Sequence, residues 1–132
     1  MAKNTCYTYF TIIGSFDPDK ITELLNLTPN STVKAGEPRR VGGVAKHSAW
    51  RFGKCDRYDV YTEKQMRATI APLKDKIELL NRIREVNDVE FYLEIVPTVH
   101  SDEPSPCLAP TMDIIDFCHA TRTNIDIDLY IN

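Results

Sequence analysis

Apolar and polar positions along the chain follow two different periods, and the points where the period changes mark the elements. Residues 7 to 14, Tyr-Thr-Tyr-Phe-Thr-Ile-Ile-Gly, are aromatic and β-branched, with apolar side chains on both alternating faces. That is the pattern of a central strand covered on both sides. In Asp17-Pro18-Asp19 the first acid can cap a helix, the proline suits its first turn and the second acid complements the dipole. Ile21, Leu24 and Leu25 then make one apolar stripe, and Pro29 requires the helix to have stopped.

Residues 28 to 47 hold no period but collect Pro29, Gly36, Pro38, Gly42 and Gly43. They read as one long loop, and loops beyond about 12–15 residues in a compact domain tend to be functional or disordered. Ser48 to Lys54, centred on Trp50 and Phe52, reads as a short strand after it. Thr62-x-x-Gln65 has the form of a capping box, and Met66, Ile70, Leu73, Ile77, Leu80 and Ile83 recur at helical intervals behind it. Pro72 interrupts that stretch, which predicts a kink or two helices meeting near Ala71.

From Val89 the period returns to two. Val89, Phe91, Leu93 and Ile95 face one way and Glu90, Tyr92 and Glu94 the other, as on a half-buried strand. A proline-rich loop spans 98 to 106, and Pro110 opens a helix carrying Met112, Ile115 and Cys118. Ile125, Ile127, Leu129 and Ile131 alternating with Asp126, Asp128 and Tyr130 predict one closing strand.

The order β, α, loop, β, helices, β, α, β predicts a single α+β domain over 1–132. Its architecture is a four-stranded ferredoxin-like sandwich: a first βαβ half at 6–54 with the long loop 28–47, a helical insertion at 62–86, and a second βαβ half at 89–132. On that plan the terminal strand lies beside the one that begins near Tyr7.

Composition changes this picture little. The 132 residues are 42% hydrophobic and 27% charged, ordinary globular values that disfavour disordered and collagen-like classes. A formal net charge of -3 argues against a body-wide partner for nucleic acid or anionic lipid. No apolar run approaches the roughly 20 residues of a membrane span, and the stretch from Met1 to Thr5 lacks the apolar region of a secretory signal, so a cytoplasmic protein is expected. Cys6, Cys55, Cys107 and Cys118 contain no Cys-x-x-Cys pair and are expected to be free thiols.

Several residues together resemble a known pattern: Phe16-Asp17-Pro18-Asp19, Ile21-Thr22, Leu25-x-Leu27-x-Pro29, Lys34-x-Gly36-Glu37, Trp50, and Ile125 through Tyr130. Across nearly its whole length the chain resembles the bacterial domain-of-unknown-function family DUF4279. Leu25-Asn26 stands where that family often has leucine-glycine, and asparagine tolerates the left-handed conformation a helix end favours. The resemblance implies a small soluble bacterial protein without assigned activity, catalytic residues or cofactor.

Two constellations could carry function. Residues 34 to 54 hold Lys34, Arg39, Arg40, Lys46, Arg51 and Lys54 against one acid, Glu37. With His47 and Trp50 they could bind an anionic ligand, arginine giving bidentate donors and the indole a stacking surface; the alternative is a solvated loop with Trp50 plugging the core. The second is a face made by Glu90, Tyr92, Glu94, Asp126, Asp128 and Tyr130, with Tyr7 or Tyr9 between. Its carboxylates would repel phosphate, so aromatics stacking RNA bases are not expected there. Asp126 and Asp128 have no third clustered ligand for a hard cation, and His47, His100 and His119 match no metal-ligand spacing.

The expectation is therefore a non-catalytic binding or interaction module with no cofactor, immunity-like in one version, using the acidic face against a protein partner. The alternative is a site for a small anionic metabolite, enzymatic or not, at loop 34–51. Neither nucleic acid nor membrane is expected as a partner, and a homodimer is left open.

Overall fold

The computed structural model describes residues 3–132; Met1 and Ala2, where the reading of the N-terminus begins, lie outside the described residues. Strand β1 (Thr5–Ser15) leads through helix α1 (Pro18–Leu25) to a short β2 (Ser31–Val33) and then β3 (Ser48–Cys55). Helices α2 (Glu63–Ile70) and α3 (Ile77–Val86) follow, then β4 (Asp88–Val99), α4 (Met112–Thr121), β5 (Thr123–Ile127) and β6 (Tyr130–Ile131). One sheet of order β2-β3-β1-β4-β5 results, with β6 also pairing β4.

The α+β class holds, but the sheet is six-stranded and not ferredoxin-like. β1 is central, antiparallel to β3 on one side and to β4 on the other. The terminal strand does not lie beside β1: β5 runs parallel to β4 on its far edge, Leu93 opposite Ile125. The two halves are thus unlike. α4 joins parallel neighbours β4 and β5, whereas β3 returns antiparallel to β1 after β2 and the long loop, so the first half is no βαβ unit.

Every helix packs on the same face of the sheet. Phe10 and Ile12 of β1, Trp50 and Phe52 of β3, and Phe91, Leu93 and Ile95 of β4 meet Leu25, Met66, Ile70, Leu80, Ile83, Ile114 and Phe117 in one cluster. Among the described residues no helix lies on the other face, so β1 is covered on one side only. Its alternate residues Tyr7 and Ile13 remain 37% exposed.

Local signals place most helix ends. Asp17 Oδ1 accepts from the Asp19 backbone N–H at 3.0 Å, and Asn26 ends α1 in the left-handed conformation with φ 53°. Pro72 falls in a 3-10 turn (Ala71–Leu73) that separates α2 from α3. The capping box at Thr62 is absent, because its side chains are used for tertiary ties. Thr62 Oγ1 donates to the Cys107 carbonyl, while Gln65 Nε2 donates to the carbonyls of Cys6 at 2.8 Å and Cys55 at 3.1 Å.

A polar seam fixes α2 to the sheet. The Thr8 and Thr69 hydroxyls lie 2.8 Å apart, Thr8 Oγ1 donating to the Gln65 carbonyl at 3.1 Å and Thr69 Oγ1 to the Gly53 carbonyl at 2.7 Å. Gly53 sits at a register shift between β1 and β3 with φ 73°, and a Cβ there would meet the Thr69 carbonyl at 2.9 Å. That position requires glycine.

The closing strand is split because of Pro97. Ile95 and Val99 of β4 accept from the N–H groups of Asp128 and Asn132 at 2.9 Å each. Pro97, two residues from each, faces the same edge without an N–H to offer, and the ladder lapses between β5 and β6.

Candidate functional site

The helix-free face of the sheet brings the two constellations of the sequence together. β4 presents Glu90, Tyr92 and Glu94 on this face, and its direct neighbour β5 sets Asp126 opposite Glu94. Tyr9 and Thr11 of β1 lie opposite Glu94 and Tyr92, and Arg51 of β3 lies opposite Thr11. Across the strands the face therefore runs from cationic at β3 to acidic at β4 and β5.

Loop 34–47 is folded back as an irregular hairpin. Gly36 N–H donates to Ala45 O and Ala45 N–H to Glu37 O, both at 2.8 Å, and Pro38 bridges to Val44. Its return arm delivers Lys46 and His47 to the open face. There they wall a cavity of about 770 Å³ together with Ile13, Asp88, Glu90, Tyr92, Glu94 and Asp126.

An adjoining hollow of about 310 Å³ shares Ile13, Lys46 and His47 with the first, and its other polar walls are Arg39 and Arg51. A smaller recess beside Arg51 holds Tyr7, Tyr9 and Lys54. The Tyr7 and Tyr9 rings stack with centroids 6.1 Å apart, and Lys54 Nζ lies 4.9 Å over the Tyr7 ring. Such a placement favours the cation through the ring quadrupole.

The acids of the large cavity are not equivalent. Partial burial, then the hydrogen-bonded Asp126 carboxyl and its charge, push Glu94 up to about 8. The Glu94–Asp126 pair therefore holds a proton at neutral pH, because two carboxylates in contact resist double ionisation. Glu90 instead accepts the Tyr92 hydroxyl, which raises the phenol above its ordinary range. Tyr130 donates similarly to Asp128 Oδ2 at 3.0 Å, further along the face and outside the large cavity.

Of the basic set, Arg39, Lys46, His47 and Arg51 converge on the two cavities. Lys34 is turned away, paired to Asp19 Oδ2 at 2.7 Å, and Arg40 is exposed outside both. Trp50 is 0% exposed on the helix side, stacked on Phe52 with centroids 5.4 Å apart and its Nε1–H donating to Thr22 Oγ1 at 3.0 Å. It plugs the core and offers no stacking surface to a ligand.

Ile13 and Asp88 line the large cavity although the sequence did not single them out. The alternation of β1 contained the signal for Ile13, since it shares a face with Tyr9, but only the adjacency of β1 and β4 sets it against Glu90. All four cysteines are free; burial pushes Cys6 and Cys118 up to about 11, which makes them poor nucleophiles. Among the described residues no group of three or more His, Cys, Asp or Glu side chains is placed to hold a metal ion, and no helix is long and apolar enough to cross a membrane.

Fold and face together define a one-sided α+β domain whose uncovered sheet surface is made concave by a hairpin. The chain belongs to the family described as domain of unknown function DUF4279, which it matches over residues 4–132. No curated protein and no solved structure matches it.

Proposed function

We propose that this domain is a non-catalytic binding module of the bacterial cytoplasm whose working surface is the open sheet face. It presents the acidic half of that face to a cationic group on a protein partner. The observation that carries this reading is the lining of the large cavity, where Asp88, Glu90, Glu94 and Asp126 face one lysine, Lys46. A basic side chain entering it would meet several carboxylates at once, and charge complementarity of this kind steers and selects partners. An immunity-like role, neutralising a basic protein, is one concrete form. Four unpaired cysteines suit a reducing compartment.

Shift mapping of the labelled domain with a blocked lysine tripeptide tests the reading. Perturbed amides should cluster at residues 11–14, 88–94 and 126 and return to rest in the Glu94→Gln/Asp126→Asn double variant. Perturbations spread evenly over the other acidic surfaces would overturn it.

The second reading, a small anionic ligand, is favoured by the hollow between Arg39, Lys46 and Arg51, which no acid among the described residues lines. Its signature is a thermal shift with an anionic metabolite that disappears in Arg39→Ala or Arg51→Ala.

A further inference from the structure

The two cavities adjoin across Ile13 and carry opposite charge, and this juxtaposition restricts the occupant more than either does alone. The geometry points to an extended peptide segment of the partner, laid across the strands, with a basic residue at one position, an apolar residue two further and an acidic residue two further again. This rests on the reading of the face as a protein-binding surface and names the chemistry it selects.

Distances set the spacing. Arg51 on β3 is separated from Glu94 on β4 by β1 alone, and Asp126 on β5 lies one strand beyond. At about 4.8 Å per strand, and with Glu94 and Asp126 offset by two residues from the level of Arg51, the cationic and acidic anchors stand roughly 12–16 Å apart. An extended chain advances about 3.3 Å per residue and turns alternate side chains to one side, so positions i and i+4 are about 13 Å apart with i+2 between them. The basic residue then reaches Glu94 and Asp126, the acidic one reaches Arg39 and Arg51, and the middle one crosses β1 over Thr11 and the half-buried ring of Tyr9, which lie opposite Arg51 and Glu94, with Ile13 beside that path.

Each anchor is also prepared for its charge. Glu94 and Asp126 crowd each other, and an entering cation lets both ionise. Among the described residues, Arg39 and Lys46 have no carboxylate within ion-pair distance, and the one side-chain hydrogen bond of Arg51 is a 3.4 Å contact to Ser31 Oγ. A carboxylate between the arginines would gain charge-assisted hydrogen bonds that nothing in the fold supplies. The peptide need not add to the sheet as a strand, because recognition is by side chains on a face.

The test uses blocked pentapeptides titrated into the whole domain: Lys-Ala-Leu-Ala-Glu, its reverse order, and versions in which glutamine replaces the lysine or the glutamate. One order of the doubly charged peptide should bind about tenfold or more tighter than either singly charged one, the gain expected of one charge-assisted contact. Arg51→Gln should erase the advantage given by glutamate while leaving the affinity of the lysine-only peptide intact, and Arg39→Gln should act the same way. Doubly charged peptides that bind no tighter than the lysine-only peptide would overturn this inference and leave the acidic-face reading standing. Binding of none of them would overturn both.

Discussion

The two faces of strand β1 are built from the same stretch of chain and have opposite fates. Thr8, Phe10 and Ile12 point under the helices and are 0% exposed, while their neighbours Tyr7, Tyr9 and Ile13 line an uncovered surface. On the covered face the apolar groups pack into one cluster, and Thr8, Thr69 and the amide nitrogen of Gln65 are hydrogen-bonded to backbone carbonyls. On the open face charged groups are segregated by strand, the Glu94–Asp126 pair shares a proton, and, among the described residues, Arg39 and Arg51 have no carboxylate within ion-pair distance. The contrast teaches that the helix side holds the fold together, while the open side carries charged groups that the packing of the fold does not use.

Substitutions can break or sharpen that contrast. The largest effect belongs to the covered face: Trp50→Ala removes a fully buried indole and its bond to Thr22, and should lower unfolding free energy by about 3–5 kcal/mol in urea denaturation. Tyr92→Ala on the open face should cost far less, and equal losses would break the comparison. Next in size, Thr69→Val strips a hydroxyl from the seam and leaves the Gly53 carbonyl without its donor. It should lower the urea midpoint by an amount equivalent to about 1–3 kcal/mol with unchanged slope.

The remaining effect lies on the open face and depends on pH. Folded Glu94 keeps its proton up to about 8, against an ordinary 4.5. The folded state therefore binds more protons than the unfolded one across that interval, so this group favours folding fully below 4.5 and progressively less as pH rises toward 8. Glu94→Gln should flatten that decline in midpoints recorded from pH 5 to 8, with little change at pH 5. A variant whose profile overlays the parent would show that Glu94 and Asp126 are not in mutual contact.

Much of this was readable in the residues. Asp17, Asn26 and Pro72 place helix ends by local backbone chemistry, and the strict alternation from Val89 to Ile95 correctly predicts which side of β4 is buried. Neighbourhood was not readable. A period of two says which face a residue occupies but not which strand lies beside it, so the likeness of the two strand-helix-strand halves suggested a repeat that the antiparallel return of β3 does not bear out. Thr62 and Gln65 misled for a related reason: their side chains could serve the helix end or distant carbonyls, and only tertiary packing decides. The site was half legible. Both charged constellations were visible, but their meeting on one face depends on the β1–β4 adjacency and the fold-back of the hairpin, and Trp50 belongs to the opposite side.

The missing donor at Pro97 has an effect beyond its own ladder. It divides the outer border of the sheet into runs of five and two residues. A long unbroken margin of that kind, with Ile125, Ile127 and Ile131 exposed along it, would offer another molecule's backbone a template to polymerise upon. Broken into short lengths and studded with Asp126 and Asp128, it makes a poor one.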